Sequence, residues 1–409
     1  MSLYVHKYGG SSVADAEKIV NVARRIAMVH DEGHQIVTVV SAMGDTTDEL
    51  IDLARTVSND PDPRELDSLL STGELVSITL LSMALRNLGY DAISLSGPQA
   101  GIRTDNSYGR ARISQVDPDR VRRELDAGRL VIVAGFQGLT PDDDITTLGR
   151  GGSDTTAVAL AAALQADRCD IYTDVEGIYT ADPRVVANAS KMHEVGYEEM
   201  LELAAAGAKM HPRSIELGAV YNVPIYVASS FVDAPGTLIH QASDERQMED
   251  RIKVTGIAYQ TNVAKVTVCG VADKPGVAAA LFEPLSAAGI NVDTIVQNTS
   301  ADRTTTDISF TVTTDDLARA LRVMAPLEST LGTGQVISDP TLASVSVVGS
   351  GMQNTPGYAS RMFRILADGG INIDMITTSE IRISCIINRD QAQEAVRLLH
   401  QGFELDESD

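Results

Sequence analysis

An internal duplication in the C-terminal half limits the folds open to this chain more than any other feature of the sequence. The first copy has a β-branched run from Val266, a Pro-Gly turn ending at Gly276 and Gly-Ile-Asn-Val-Asp from Gly289. The second copy repeats this order from Val345, with a Pro-Gly turn ending at Gly357 and the same spacing to Gly-Ile-Asn. We therefore expect two ferredoxin-like βαββαβ units. A purely structural duplication would explain the pattern, although Pro-Gly before a helix exposes N-terminal amides that suit a carboxylate ligand.

The chain ahead of the duplication alternates between strand and helix patterns. The predicted strands are residues 3–8, 35–41, 130–134 and 170–173, and the predicted helices are residues 14–29, 46–57, 66–88 and 155–164. This alternation indicates an α/β domain with a mostly parallel sheet sandwiched by helices. A polar stretch at 241–251 is interpreted as a linker or a connecting helix. The predicted domains are residues 1–244, 264–325 and 343–405.

The charge of the chain excludes one class of partner. With 33 Lys and Arg against 56 Asp and Glu, the formal net charge is −23, and the chain has no Trp. A surface this acidic repels phosphate backbones, so we expect no nucleic acid partner. Only 7 of the cationic residues are Lys. Excess carboxylate with scarce Lys favours a salt-adapted source over an ordinary acidic cytosolic protein.

Targeting signals and paired cysteines are not apparent in the sequence. No long apolar run follows a basic N-terminal segment, and no apolar stretch approaches the length of a membrane span, so we expect neither a signal peptide nor a membrane partner. Cys169, Cys269 and Cys385 lie far apart beside β-type residues. We interpret them as buried, reduced thiols without zinc-type spacing, which predicts a cytoplasmic protein.

The first motif with chemical content is Lys7-Tyr-Gly-Gly-Ser-Ser, at the end of the first predicted strand. Consecutive glycines let backbone amides approach an anion closely, and Lys7 adds a point charge that can follow a phosphoryl group during transfer. A tight turn beside a surface Lys is the alternative. The small number of Lys in the chain weakens that alternative.

A second motif, Thr147-Leu-Gly-Arg-Gly-Gly-Ser-Asp-Thr-Thr-Ala, leads into the helix predicted at 155–164. It combines an Arg that can bind a carboxylate in a fork, backbone amides at a helix start, and an Asp that can hold Lys7 or a second cation. These residues are Arg150, Gly151, Gly152, Ser153 and Asp154. A capped helix would explain the Ser, Asp and Thr but not an Arg between glycines. We therefore interpret the motif as part of a functional site.

Two further sets of residues are ambiguous by themselves. The stretch from Thr173 to Arg184 follows a predicted strand, where α/β proteins place nucleotides, but a β-hairpin turn explains it equally well. Two other segments, beginning at Ser41 and at Ser71, each lead into a predicted helix. Within them, Thr47 could bind a carboxylate oxygen of a small zwitterion and Glu74 its ammonium group. Taken alone, helix capping is the better explanation of both segments.

Together these segments resemble the aspartate kinases of the amino acid kinase family. The matching stretches begin, in family order, at Lys7, Val40, Ser71, Gly135, Leu148 and Tyr172. The duplicated half resembles a tandem pair of ACT domains, and Thr-Ser-Glu-Ile-Arg-Ile-Ser at 378–384 completes the match. The resemblance implies the amino acid kinase fold in the first predicted domain and one ACT domain in each of the other two.

The resemblance also implies roles for individual residues. Lys7 and Asp154 resemble catalytic residues, the first stabilising the transferred phosphoryl group and the second organising the lysine. The implied ATP-binding residues are Lys7, Tyr8, Gly9, Gly10, Ser153, Thr173, Asp174, Tyr179, Thr180, Ala181, Asp182, Pro183, Arg184 and Lys209. The implied substrate-binding residues are Ser41, Thr47, Glu74, Arg150, Gly151, Gly152 and Ser153. The implied effector-binding residues are Asp273, Lys274, Pro275, Gly276, Val277, Ala278, Asn291, Val292, Asp293, Gln297, Asn372, Ile373, Ser379 and Glu380.

The activity implied by the resemblance is transfer of the γ-phosphoryl group of ATP to the side-chain carboxylate of L-aspartate. Mg²⁺ would be carried by the nucleotide, without a separate metal site on the protein. A carboxylate with an ordinary pKa of about 4 is ionised at neutral pH, so the reaction needs positioning and positive charge rather than a general base. The products would be 4-phospho-L-aspartate and ADP, in the first step of lysine (through diaminopimelate), threonine and methionine biosynthesis.

Regulation is implied by the ACT pair, which would bind lysine, threonine or both between the chains of a homo-oligomer. Tyr358-Ala359 follows the second Pro-Gly where the family often has Val-Thr, which leaves the identity of the effector open. Two other functions are considered. The chain could be a sister kinase acting on glutamate, N-acetylglutamate or carbamate, or a non-catalytic amino-acid sensor with a kinase-like fold.

Overall fold

The structure, a computed structural model, describes residues 2–241, 254–299, 305–331, 335–352 and 355–406. The predicted linker or helix at 241–251 lies, apart from Gln241, outside these residues. The described chain forms two compact units. The first unit contains the described chain up to Tyr179, the segment Lys191–Ala205 and residues 209–241. The second unit contains Thr180–Ser190, Ala206–Ala208 and the described chain after residue 253. Two short segments of the first predicted domain therefore pack with the second unit.

A mostly parallel sheet forms the centre of the first unit. The strands of this unit are β1 (Leu3–Tyr8), β2 (Gln35–Val40), β3 (Ala92–Leu95), β4 (Ile102–Thr104), β5 (Ile113–Val116), β6 (Leu130–Ala134), β7 (Gln137–Leu139), β8 (Ile145–Thr147), β9 (Arg168–Thr173), β10 (Glu194–Gly196), β11 (Ile225–Ser229) and β12 (Thr237–His240). Eight of them form one sheet in the order β10-β12-β11-β9-β1-β2-β6-β3, in which the β11–β12 pair is antiparallel. The others form a smaller sheet in the order β5-β4-β7-β8.

Helices cover both faces of the large sheet. They are α1 (Ala16–Asp31), α2 (Thr46–Val57), α3 (Pro63–Leu70), α4 (Thr72–Asn87), α5 (Asp119–Asp126), α6 (Gly152–Leu164), α7 (Tyr197–Ala205) and α8 (Pro212–Tyr221). The buried side chains of α1 and α4 form a common core with Tyr8 and Tyr172 of the sheet. The Ala-rich helix α6 packs against β1, β2 and β9. The predicted mostly parallel sheet between helices is confirmed, and burial on both faces explains why every residue of β2 after Gln35 is buried and β-branched.

The single helix predicted at 66–88 is wrong, because two helices meet at Ser71. The backbone N–H of Ser71 donates a hydrogen bond to the carbonyl oxygen of Asp67, and α3 ends there. Its own carbonyl accepts a hydrogen bond of 3.0 Å from the side-chain amide of Gln137. By length and composition, the stretch Pro63–Asn87 is the one helical segment within the described residues that could cross a membrane. Half of its apolar window is buried, as in the core helix of a globular protein.

The second unit has one six-stranded sheet. Its elements are β13 (Gly256–Ala272), α9 (Val277–Ala287), β14 (Ile295–Thr299), β15 (Thr305–Val312), α10 (Thr314–Leu331), β16 (Val336–Val348), α11 (Tyr358–Asp368), β17 (Ile373–Thr378), β18 (Arg382–Asn388) and α12 (Ala392–Gly402). The strand order is β14-β15-β13-β16-β18-β17. Each repeat has its own apolar core between helices and sheet, so the expected ferredoxin-like pair is present.

The two repeats share their longest strands. The second half of β13 pairs with the first half of β16, and the first half of β13 pairs with the second half of β16. Each of these strands therefore opens one repeat and closes the other. A simple tandem arrangement would close the second repeat on a strand after α12. Instead, the second repeat is closed by the chain that precedes the first.

The three thiols are free, but their exposure differs from the prediction. Cys169 and Cys385 are buried, and burial raises the pKa of the Cys385 thiol to about 12. Cys269 is partly exposed, so its prediction as a buried thiol is wrong. It lies between Val268 and Val271, where the pairing of β13 with β15 shifts register, and the strict alternation of buried and exposed positions is lost there.

Candidate active site

The loops after β1, β2 and β9 meet at one edge of the large sheet, because these three strands are parallel neighbours. Backbone hydrogen bonds tie the loops together. The amide of Gly9 donates to Tyr172 O (3.3 Å), that of Ser41 to Tyr8 O (3.1 Å) and that of Gly44 to Gly10 O (3.1 Å). The chain leaves β1 towards β2 and later returns to β9 on the other side of β1. Ligands of open α/β sheets bind at such a switch of direction.

Lys7 lies at this edge and pairs with Asp154. Alternation along β1 directs Tyr8 to the core under α1 and Lys7 to the opposite face, where α6 packs. Lys7 Nζ is 2.7 Å from Asp154 Oδ1, and the two side chains are only 11% and 15% exposed. Asp154 is thus the partner of Lys7, as the sequence suggested. A β-carbon at Gly9 would lie 3.4 Å from Lys7 Nζ, so the glycine keeps space open beside the ammonium group.

Arg150 lies at the same helix start as the Lys7–Asp154 pair. Gly151, with a φ of 68°, precedes α6, and a β-carbon there would lie 2.2 Å from the ring of His211. Such a left-handed, closely packed position requires glycine. Arg150 is exposed, and its side chain has no hydrogen bond or ion pair with the residues that the structure describes. The first-turn amides, including that of Ser153, lack intrahelical acceptors by the geometry of a helix start. One helix end therefore offers a guanidinium group, free amides and the lysine pair.

Glu74 is a buried carboxylate next to the glycine-rich loop. Its Oε1 accepts a hydrogen bond of 3.0 Å from Ala42 N, and Oε2 has no hydrogen-bond partner within the described chain. Burial raises its pKa from 4.5 to about 7 despite the bond from Ala42. The carbonyl of Ala42 would lie 2.8 Å from a β-carbon on Gly10, so Glu74 and the loop after β1 are close neighbours. A bound ammonium group would satisfy Oε2 and stabilise the ionised carboxylate.

Two predicted substrate residues lie on the same loops. Ser41 follows β2 directly, and Thr47 lies in the first turn of α2, both partly buried. The loop between them is bound to Gly10 through Gly44, so these hydroxyl groups lie near the glycine-rich loop.

The predicted nucleotide residues divide between the two units. Thr173 and Asp174 follow β9, and Lys209 Nζ lies 2.9 Å from Asp174 Oδ1. Burial acts to raise the pKa of Asp174, but hydrogen bonds from Lys209 and Thr173 outweigh it and lower that pKa. Tyr179 pairs with Lys191 in a short bridge. The remaining residues of this set, 180–184, belong to the second unit, where Ala181 is part of a core cluster and Arg184 pairs with Asp182 at 2.7 Å.

The predicted effector residues lie at opposite edges of the second sheet. Asn291, Val292 and Asp293 precede the edge strand β14, which contains Gln297. Residues 273–276 form the turn between β13 and α9, and Val277 and Ala278 begin that helix. Asn372 precedes the other edge strand, β17, which begins at Ile373, and Ser379 and Glu380 follow that strand. Five inter-strand steps separate β14 from β17, about 24 Å at the usual strand spacing. The two sets do not meet within one chain.

Several residues that shape the site were missed by the sequence analysis. Asp67 and Arg213 fix the chain that leads to Arg150, and His211 packs against Gly151. Ser230 accepts a hydrogen bond of 2.8 Å from Ser12 and donates one of 3.1 Å to Thr173 O, which joins the loops after β1 and β9. These residues lie in ordinary helical or loop patterns. Asp67 differs from an ordinary helical carboxylate only because the fold buries it.

This arrangement defines a class of enzyme. A mostly buried ammonium group beside a glycine-rich loop suits a transferred phosphoryl group, and a guanidinium group with a buried carboxylate suits an amino acid zwitterion. Among the residues that the structure describes, no group of three or more His, Cys, Asp or Glu side chains could hold a metal ion. The site is that of a phosphotransferase with a small, carboxylate-bearing acceptor.

Comparison with known proteins identifies the family. The sequence model of the amino acid kinase family matches residues 2–229, and the model of an ACT domain matches residues 266–325 and 345–403. The aspartokinase of Mycolicibacterium smegmatis is 51% identical over 99% of this chain and 97% of its own length. Escherichia coli aspartokinase III, crystallised with aspartate and ADP in its R-state, is 27% identical with a TM-score of 0.84, covering 98% of this chain and 100% of that one. Its T-state complex with lysine and aspartate has a TM-score of 0.74 at 27% identity, covering 98% and 99%. The chain belongs to the aspartokinases of the amino acid kinase family.

Proposed function

We propose that the chain transfers the γ-phosphoryl group of ATP to the side-chain carboxylate of L-aspartate, giving 4-phospho-L-aspartate and ADP. The observation that carries the proposal is the 2.7 Å pair between Lys7 and Asp154 at the helix start that also presents Arg150. The E. coli relative binds both aspartate and ADP.

Each charged group has a role in this reaction. Lys7 stabilises the negative charge of the phosphoryl group as it moves, and Asp154 holds the ammonium group in place. Arg150 binds one carboxylate of aspartate in a fork, and Glu74 binds its ammonium group. The other carboxylate attacks in line without a general base, because it is already ionised. Mg²⁺ arriving with ATP would further neutralise the charge of the phosphate oxygens.

Substrate choice tests the proposal. We expect ADP release with L-aspartate to exceed that with glutamate, N-acetylglutamate or carbamate by about tenfold or more in kcat/KM, since Glu74 and Arg150 are placed for a short zwitterion. A coupled ADP-release assay with each acceptor at equal concentration measures this, and a reaction without acceptor corrects for ATP hydrolysis. Faster turnover with another acceptor would assign the chain to a sister kinase, and no turnover with any would make it a sensor.

Regulation by an amino acid is a further part of the proposal. We infer that lysine, threonine or both bind the ACT pair and inhibit the enzyme, as the lysine complex of the E. coli relative suggests. Because β14 and β17 lie at opposite edges of the sheet, an effector that contacts both predicted sets needs two chains. The proposal therefore includes a homo-oligomer assembled through the second unit. It also includes a cytoplasmic, salt-adapted enzyme at the start of lysine, threonine and methionine biosynthesis.

Gln297→Ala tests the location of the effector site. Gln297 is exposed on β14, and we expect its loss to raise the inhibitory concentration of the effector about tenfold while the uninhibited kcat stays unchanged. Gln335→Ala, at another exposed glutamine of the same unit, should leave inhibition unaltered. Mixing Gln297→Ala with Asn372→Ala chains should restore part of the inhibition, because a mixed pair has one intact site. Inhibition of Gln297→Ala at the wild-type concentration would remove β14 from the site.

A further inference from the structure

Asp67 is a buried carboxylate to which neither the resemblance nor the reaction assigns a role. It lies in α3 with 1% of its surface exposed. Its two oxygens accept four hydrogen bonds from three donors. Gly109 N donates at 3.0 and 2.8 Å, Thr147 N at 2.8 Å and Thr147 Oγ1 at 2.7 Å. Because both oxygens of this buried carboxylate are used, Asp67 holds two distant chain segments together.

One of these segments leads directly to the substrate arginine, and the other is hydrogen-bonded to that segment. Thr147 ends β8 and lies three positions before Arg150, and its carbonyl accepts a hydrogen bond of 2.9 Å from Ala111 N. From the other side, Arg213 donates to Leu148 O at 2.7 Å and to Ala111 O at 2.9 Å. The backbone immediately before Arg150 is thus held by Asp67 on one side and by Arg213 on the other. Arg150 itself has no side-chain partner within the described residues, so its position depends on this backbone.

We propose that Asp67 is a positioning residue for the amino acid substrate, acting through the backbone of Thr147 to place the guanidinium group of Arg150. The proposal rests on the proposed function in one respect, the binding of the aspartate carboxylate by Arg150. A misplacement of about 1 Å in a binding group costs up to about a hundredfold in rate. An Asn at position 67 would direct N–H groups at the N–H groups of Gly109 or Thr147, which displaces one of the two segments.

Asp67→Asn is expected to raise KM for aspartate about tenfold or more and to change KM for ATP less than about threefold. Thr147→Val, which removes only the hydroxyl donor, should raise KM for aspartate by a smaller factor and provides a milder variant if Asp67→Asn folds poorly. The matched control is Glu124→Gln, since Glu124 is a buried carboxylate of the same unit that pairs with Arg120 and Arg129. This control should lower thermal stability without changing KM for aspartate.

A double-mutant cycle with Arg150→Lys separates positioning from a general structural effect. If Asp67 acts through Arg150, the change in kcat/KM for aspartate caused by Asp67→Asn should fall below about twofold in the Arg150→Lys background. The proposal would be overturned if Asp67→Asn changed kcat/KM for aspartate equally in the wild-type and Arg150→Lys backgrounds. It would also be overturned if Asp67→Asn, like Glu124→Gln, lowered stability without changing KM for aspartate. A wild-type KM for aspartate in Arg150→Lys alone would overturn it too. That last result overturns the proposed substrate site as well, whereas the two results before it overturn the role of Asp67 alone.

Discussion

Lys7→Ala is expected to lower kcat for ADP release with aspartate by about 10³-fold, because the ammonium group lies beside Gly9 of the glycine-rich loop and its charge acts on the moving phosphoryl group. The substitution also leaves Asp154 mostly buried without its partner, so we expect a loss of stability of roughly 3 kcal/mol. Single-turnover ADP release and urea unfolding measure the two effects separately.

A second substitution distinguishes lost chemistry from lost folding. In Lys7→Ala/Asp154→Asn the unpaired charge is absent, so the midpoint of urea unfolding should return towards that of the wild type while kcat stays low. Lys18→Ala is the matched control, since Lys18 forms an exposed pair with Asp15 at 3.5 Å and such pairs contribute little. A Lys7→Ala enzyme that keeps more than about a tenth of the wild-type kcat would refute the role of Lys7.

Glu74→Gln is expected to make the ligand-free protein more stable at pH 8 and to weaken aspartate binding. With its pKa raised to about 7 by burial, Glu74 keeps a proton in the folded chain between pH 4.5 and 7, where the unfolded chain has released it. The free energy of unfolding of the wild type therefore falls as pH rises through this range, by roughly 3 kcal/mol. Glutamine removes this dependence. It also removes the charge that binds the substrate ammonium group, so KM for aspartate should rise about a hundredfold.

The pH dependence of binding tests the same residue without a mutation. Aspartate needs the ionised form of Glu74, so its KM should fall as pH rises through about 7, and saturating aspartate should raise the melting temperature more at pH 8 than at pH 5.5. Glu124→Gln is a control in which we expect the opposite change in stability at pH 8. The pKa of Glu124 is lowered by its hydrogen bond with Arg129, so that substitution should destabilise the protein at pH 8. If the Glu74→Gln protein were less stable than the wild type at pH 8, the raised pKa of Glu74 would be contradicted.

The candidate site motifs could be picked out from the sequence because each one combines local signals with chemistry. A tight turn is the ordinary structural explanation for Lys7 near Gly9 and Gly10, and helix capping does not explain Arg150 between glycines; both residues lie at strand or helix ends in the fold. The pairing of Lys7 with Asp154 was one of two possibilities in the sequence, since Asp154 could equally have held a second cation. The sheet was predictable from the alternation of β-branched runs with helical spacing.

Other features depend on contacts between distant residues that no local pattern records. The break between α3 and α4 is stabilised by Gln137, 66 positions beyond Ser71. Asp67 is a charged residue within a helical pattern, and the fold buries it against Thr147, 80 positions away. The assignment of Thr180–Ser190 to the second unit also has no signal in the segment itself, because the apolar residues that bury it come from later in the chain.

The shared long strands of the second unit have a consequence for dissecting this protein. Because β13 and β16 each close one repeat and open the other, a cut between α10 and β16 separates these two strands. The first repeat would keep only three strands, and β16 of the second repeat would lose the strand with which it pairs on one side. We expect neither fragment to fold alone, since a bare edge of backbone donors and acceptors favours aggregation over independent folding. For protein engineering, the two repeats are a single module, to be exchanged whole between relatives or not at all.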